Sequence, residues 1–315
     1  MKPDILLTVP LIDSTMGQLD EHFSVHRLWE APDRDGFMAG IAGRVRAAAT
    51  TGATGLKGDL IERLPKLEVV ASYGVGTDAI DLATCRRRGV AVSNTPDVLT
   101  QEVADFAMAL LLASARRLPQ ADAYVRRGDY LRDGKDQYPL TRRARGKKVG
   151  IVGLGQIGQA FARLCLAFGM EVSWYGPRPK PNVPYRHVDD LVGLAAEVDY
   201  LVLTCKGGPD TAGLVTSEVL EALGPEGTLV NVSRGSVVDE AALVQALKEG
   251  RLGAAALDVY ADEPNAPPEL FTMENVVIQP HVASGTVETR GAMGQLVVDN
   301  LRSWFAHGRL LTPVT

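Results

Sequence analysis

Cysteine is scarce in this 315-residue chain, positive charge is not in excess, and no apolar run is long enough to span a bilayer. The three cysteines, Cys85, Cys165 and Cys205, are odd in number and lack metal-ligand spacing. They are read as reduced thiols, which excludes a disulfide scaffold and a zinc module. A formal net charge of −5 offers no general attraction for nucleic acid or an anionic membrane. The first strand-like segment begins at Asp4 with no charged leader, apolar core and cleavage site before it, so a cytoplasmic protein is expected. Low-complexity tracts and short repeats are also missing. His22 and His26 stand four residues apart but straddle a predicted helix end without a companion carboxylate cluster, so no metal site is expected. His187 and His307 read as surface residues.

What the chain does have is an alternation of short apolar runs and helical stretches, in a length sufficient for two domains. Strands are predicted near 4–9, 24–29, 46–50, 67–72 and 90–93, with helices near 14–22 and 58–64. Asn94-Thr95-Pro96 breaks this pattern, and a long apolar helix follows from Val98 to about Arg116. Residues 118–146 are richer in charge and read as an excursion. A second alternation has strands near 149–153, 171–175, 199–204, 228–232, 254–258 and 276–278, with a final helix over Asp299–His307. The expected fold is α/β, with two doubly wound parallel-sheet domains: a Rossmann cofactor domain over roughly 98–282, and a flavodoxin-like substrate domain over 1–97 completed by 283–315. A cleft between two such domains would close to exclude water.

The most informative stretch is Lys148-Val149-Gly150-Ile151-Val152-Gly153-Leu154-Gly155-Gln156-Ile157-Gly158. A buried strand runs into Gly-x-Gly-x-x-Gly and then into the helical Gln159-Ala160-Phe161-Ala162. Gly153 permits a tight turn, Gly155 lets a pyrophosphate approach the backbone, and Gly158 lets helix and strand pack closely. The exposed amides at the helix start favour phosphate. Gly74-x-Gly76 lacks the third glycine and is a different loop.

In such folds an acidic residue about twenty positions past the glycines binds the ribose 2′-hydroxyl. Here Tyr175 is followed by Gly176-Pro177-Arg178-Pro179-Lys180, with no Asp or Glu. Gly176 removes what would repel a 2′-phosphate, and Arg178 and Lys180 are cations suited to hold one, so NADP(H) is expected over NAD(H). The plainer reading is that both cations are solvated loop residues.

Three later strands end in Arg234-Gly235, in Asp258-Val259-Tyr260 followed by Asp262-Glu263-Pro264, and in Gln279-Pro280-His281. Ligands bind at the carboxyl edge of a doubly wound sheet, so an arginine, a carboxylate and a histidine should converge there. Together with Asn94-Thr95-Pro96-Asp97-Val98-Leu99-Thr100, Asn231-Val232-Ser233-Arg234-Gly235 and the glycine loop, these segments resemble the D-2-hydroxyacid dehydrogenase family over nearly the whole length. Within it, the segments around Thr95–Thr100, 280–290 and 310–314 are most similar to NADPH-dependent glyoxylate/hydroxypyruvate reductases and hydroxyphenylpyruvate reductases.

That resemblance implies hydride transfer to a 2-keto carbon, with His281 giving the proton. Glu263 would hold the imidazole and favour its protonated form, with Asp262 as a competing carboxylate. Arg234 would grip the substrate carboxylate and polarise the keto oxygen. Asp258 would contact the nicotinamide amide or simply cap its strand. The implied substrate set is Tyr73, Gly74, Val75, Gly76, Arg234, His281 and Ser284, with the amides of Val75 and Gly76 taking a carboxylate oxygen. The implied cofactor set is Val75, Thr100, Gly153, Gly155, Gln156, Ile157, Gly158, Gly176, Arg178, Lys180, Thr204, Cys205, Val232, Ser233, Arg234, Asp258, His281 and Ser284. The resemblance also implies a homodimer with 118–146 as the exchanged arm. A bulkier keto acid such as phenylpyruvate, or a non-catalytic dinucleotide-sensing role, are the competing readings.

Overall fold

The computed structural model describes residues 2–315 and divides the chain into two compact units, Met1–Leu99 with Ser284–Thr315, and Thr100–Ala283. Each is a parallel sheet covered by helices.

In the first unit the strands are β1 (Asp4–Leu7), β2 (Ser24–Arg27), β3 (Ala47–Thr51), β4 (Val69–Tyr73) and β5 (Ala91–Ser93), in spatial order β2-β1-β3-β4-β5. Every pairing is parallel. The alanine run of β3 is a poor strand former, yet Ala47, Ala48 and Ala49 are buried between β1 and β4. Burial on both faces outweighs that weak intrinsic preference. The chain end returns to this sheet, where the Val314 amide donates to the Val92 carbonyl at 2.7 Å.

The final helix differs from expectation. It runs over Val287–His307 rather than Asp299–His307, starting at the Thr286 cap, whose hydroxyl accepts from the Thr289 amide, and ending at left-handed Gly308. Gly291 and Gly294 lower helix propensity and hide the first half from a periodicity reading. Gly294 has a packing reason: a Cβ there would lie 1.7 Å from Thr15 Oγ1, on the helix Asp13–His22. The same unit pairs His26 Nε2 with Asp4 Oδ1 at 2.7 Å, and no cluster of metal-ligating side chains occurs among the described residues.

In the second unit the strands are β6 (Lys148–Val152), β7 (Glu171–Tyr175), β8 (Arg186–Val188), β9 (Tyr200–Leu203), β10 (Thr228–Asn231), β11 (Ala254–Leu257) and β12 (Val276–Ile278). Their order is β12-β11-β10-β9-β6-β7-β8, all parallel. Sequence reading missed β8, a three-residue edge strand too short to show a period. The chain runs outward from β6 on one side and then returns to β9 on the other. The carboxyl ends of β6 and β9 therefore flank the point where strand order reverses, which is where an open α/β sheet binds ligands. Residues 118–146, read as an excursion, contain the helices Leu118–Arg126 and Asp129–Asp133. No helix among the described residues is long and apolar enough to cross a membrane.

Candidate active site

Because every strand of the second sheet points the same way, β6, β7, β9, β10, β11 and β12 deliver their following loops to one edge. β6 delivers the glycine loop. Gly153 has φ of 90°, and a Cβ on it would meet the Cys205 Cα at 2.5 Å. At Gly158 a Cβ would lie 2.4 Å from the Gly153 carbonyl oxygen and 2.8 Å from Thr204 Oγ1. Thr204 in turn donates its hydroxyl to that carbonyl at 2.6 Å. Gly155 caps the helix Gln156–Ala167, and a Cβ built on it meets nothing within 4 Å. The outer glycines are thus forced by packing, while the middle one faces open space beside the amides that open a twelve-residue helix. That is the arrangement a dinucleotide pyrophosphate requires, and the residues fit such a group.

β7 delivers Gly176 and Arg178, the latter exposed. The Lys180 ammonium donates to the Leu154 carbonyl at 2.6 Å, tying its own loop to the glycine loop. The carbonyl uses one of the three ammonium donors. His187, expected at the surface, is half-buried, with its ring 4.5 Å from that of Trp174 and its Nε2 at 2.9 Å from the Gly176 carbonyl.

β9 and β10 deliver Cys205 and the segment Val232-Ser233-Arg234. The Ser233 hydroxyl donates to the Cys205 carbonyl, and the Asn231 side chain brackets the turn, accepting from the Ser233 amide at 3.0 Å and donating to the Arg234 carbonyl at 3.0 Å. Gly235 is essential to this route, since a Cβ there would fall 1.8 Å from the Tyr260 carbonyl carbon. The close passage brings Arg234 within electrostatic reach of Glu263.

β11 and β12 deliver the carboxylate and the histidine. His281 Nδ1 meets Glu263 Oε2 at 2.7 Å, and Glu263 Oε1 accepts the Tyr260 amide at 3.2 Å. Of the two neighbouring carboxylates, Glu263 is the one that meets the histidine, while Asp262 accepts from the Asn265 side chain at 3.1 Å. Burial opposes ionisation of Glu263, but the hydrogen bond and charge of His281, the Tyr260 amide and the charge of Arg234 together hold its carboxyl below the usual range. Burial also pushes the Tyr260 phenol up to about 12, and its hydroxyl donates to the Gln279 carbonyl at 2.9 Å.

His281 itself stands at φ 55°, a left-handed conformation that is uncommon for a non-glycine residue. The backbone just beyond it is held by Asp258. Its carboxylate is fully buried and accepts the amides of Val282 and Ala283 at 2.8 and 2.9 Å. The Asp258 oxygens thus lie on the backbone beyond His281. Burial raises its carboxyl despite the two amides and the His281 charge. Sequence reading missed this support; a lone Asp closing a wholly apolar strand was the available signal.

The remaining expected residues lie as follows. Thr100 is buried at the start of the helix Thr100–Arg116. In the first unit Tyr73 is buried, with its hydroxyl on the Arg290 carbonyl at 2.9 Å. Gly74, at φ 137°, donates to Thr95 Oγ1 at 3.0 Å. The Val75 side chain is exposed and its carbonyl accepts from Asn94, the Gly76 carbonyl accepts from Ser72, and the Ser284 carbonyl accepts the Thr286 amide.

Residues 108–283 match the family described as "D-isomer specific 2-hydroxyacid dehydrogenase, NAD binding domain". The chain is 46% identical to a hydroxyphenylpyruvate reductase of Plectranthus scutellarioides over 310 residues, covering 98% of each. It is 44% identical to a glyoxylate/hydroxypyruvate reductase of Arabidopsis thaliana, again over 98% of each. Among solved structures, an NADPH-dependent glyoxylate/hydroxypyruvate reductase from Sinorhizobium meliloti, in complex with NADP and malonate, superposes with a TM-score of 0.94 at 43% identity, covering 100% of this chain and 97% of that one.

Proposed function

The chain belongs to the D-isomer specific 2-hydroxyacid dehydrogenase family, and on that premise we propose that it is an NADP-dependent reductase turning a 2-keto acid of the glyoxylate/hydroxypyruvate class into the D-2-hydroxy acid. The observation that carries this reading is the His281–Glu263 contact at 2.7 Å, on the sheet edge that also holds a glycine loop fitted to a dinucleotide.

The glycine loop amides of Gly155, Gln156 and Ile157 would hold the pyrophosphate, with Thr204, Cys205, Val232 and Ser233 beside it. Arg178 would take the 2′-phosphate, as position 176 carries no carboxylate to repel it. When bound, the cofactor supplies the hydride. Arg234 orients the substrate by its carboxylate and polarises the keto oxygen. Glu263 fixes the imidazole through Nδ1, which leaves Nε2 to release the proton onto that oxygen. In the oxidative direction the same nitrogen accepts it.

The likeness to a hydroxyphenylpyruvate reductase favours a second reading of substrate size, the same chemistry on an aromatic keto acid. Comparing kcat/KM for glyoxylate, hydroxypyruvate and hydroxyphenylpyruvate with NADPH separates the two, and absence of turnover with all three removes the enzyme reading. We also infer a homodimer with 118–146 as the exchanged arm, on which Leu131 and Leu140 are 88% and 101% exposed. The three free thiols suit a reducing compartment such as the cytoplasm.

A further inference from the structure

Position 176 follows the last residue of β7, where a dinucleotide fold that prefers an unphosphorylated ribose carries its acidic side chain. Glycine at this position does not answer a backbone demand, because Gly176 is not among the residues with positive φ. What it answers is Trp174. A Cβ on Gly176 would lie 2.9 Å from Trp174 Cζ3 and 3.4 Å from Cε3. These atoms belong to a rigid ring, not to the end of a flexible chain, and Trp174 is only 1% exposed, so it has nowhere to retreat.

His187 fixes the other side. Its ring packs against the indole with centroids 4.5 Å apart and planes at 59°, and its Nε2 lies 2.9 Å from the Gly176 carbonyl oxygen. A carbonyl only accepts, so Nε2 carries the hydrogen. Indole, imidazole and the 176 carbonyl thus form one packed unit directly beneath the loop that presents Arg178. The indole Nε1 is buried without a hydrogen-bond partner. The ring is therefore held by packing alone, and its replacement by an apolar side chain breaks no polar contact.

We propose that Trp174, clamped by His187, is a specificity-determining residue: it closes position 176 to the carboxylate that would bind a ribose 2′-hydroxyl and so keeps the loop open to a 2′-phosphate. This rests on the NADP(H) reading of Arg178 and extends it, since an acidic substitution at 176 alone cannot then convert the enzyme to NADH.

The test compares kcat/KM for NADPH and NADH in the wild type, G176D and W174L/G176D. In G176D, efficiency with NADPH should fall at least tenfold while efficiency with NADH rises less than twofold. W174L/G176D should use NADH at least tenfold better than G176D does. Equal NADH efficiency in G176D and the double variant overturns the role of the indole. The wild-type ratio is a separate result: equal use of both cofactors withdraws the reading of Arg178, while the comparison of the two variants still judges Trp174. G176A gives a reading that does not depend on the double variant folding. Its single methyl group should lower Tm and raise the KM for NADPH more than it lowers kcat. H187L should do the same, and H187Q, which keeps a donor, should restore part of the KM. Unchanged Tm and KM in G176A overturn the proposal.

Discussion

His281 and Glu263 meet at 2.7 Å although they stand eighteen residues apart, on loops that follow two different strands. The contact occupies Nδ1, and in the proposed reaction Nε2 exchanges the proton with substrate. His281→Gln should lower kcat by about 10²–10⁴-fold, the usual worth of a positioned acid, with NADPH binding retained in a fluorescence titration. Near-normal turnover would remove His281 from the chemistry. Glu263→Gln keeps an acceptor for the ring and loses the charge, so kcat should fall further than KM rises. The carboxyl of Glu263 is held below its ordinary value of 4.5 in the folded chain. Its contribution to stability is therefore present above that value and lost as pH falls below it. Unfolding free energy measured through that acid range should decline less steeply in E263Q than in the wild type.

Asp258 supports the same histidine from beneath. Replacing it by asparagine leaves one oxygen to accept where two amides donate, and presents an N–H₂ to the second. One buried backbone donor then goes unpaired, at a cost of about 1–3 kcal/mol. D258N should lower stability by about that amount in urea titrations, and should lower kcat more than it raises the KM for NADPH, because the left-handed turn at His281 loses its anchor. If kcat holds and only the KM for NADPH rises, Asp258 acts on the cofactor directly.

Much of this was legible in the sequence because the chemistry is written at strand ends. Val149–Val152 running into three spaced glycines, and Arg234, Glu263 and His281 each following an apolar run, point to loops on one edge of a parallel sheet. What failed to show was set by tertiary contact. The Lys180 contact with the Leu154 carbonyl has no sequence signal, because the two positions lie 26 residues apart. The first half of the last helix was hidden by Gly294, whose purpose is the approach of Thr15 from a distant segment. Ala47–Ala49 and Ala254–Ala256 are strands only because neighbours bury them. His187 read as a surface residue because β8, which carries it, is too short to show alternation.

Arg178 and Lys180 should part company on substitution. Arg178 is an exposed cation free to meet a 2′-phosphate, so R178A should raise the KM for NADPH about tenfold or more and leave NADH nearly unaffected. Lys180 holds the Leu154 carbonyl, part of the loop that both cofactors share. K180M should therefore raise both KM values by similar factors. A K180M effect confined to NADPH would return Lys180 to the phosphate, and the Leu154 contact would then be secondary.

The thiols give a prediction at the opposite end of the pH scale. Cys85 and Cys165 are fully buried, in the helices Leu82–Arg88 and Gln156–Ala167. Burial raises Cys85 from 9.0 to about 11, with Asp81 adding to the effect and Arg88 and Arg86 opposing it. Burial likewise takes Cys165 from 9.0 to about 12. In the unfolded chain both ionise near 9, whereas in the folded chain both keep their protons well above it. The folded state then binds more protons than the unfolded one, and unfolding free energy must fall as pH rises. The contribution is complete below about pH 9 and is lost progressively toward the folded values, on the order of 1.4 kcal/mol per thiol for each pH unit within that window. Cys205, Tyr73, Tyr200 and Tyr260 are also raised, mainly by burial, and contribute over part of the same alkaline range. Those groups are common to every variant, so differences in slope across a urea titration series between about pH 8.5 and 10 report Cys85 and Cys165. The decline should be shallower in C165A than in the wild type, and shallower again in C85A/C165A. Parallel slopes in all three would mean that the buried thiols do not carry the alkaline loss of stability. In the folded protein at pH 8, iodoacetamide should leave Cys85 and Cys165 unmodified for as long as the native state persists, because the thiolate is the nucleophile and neither group forms it there.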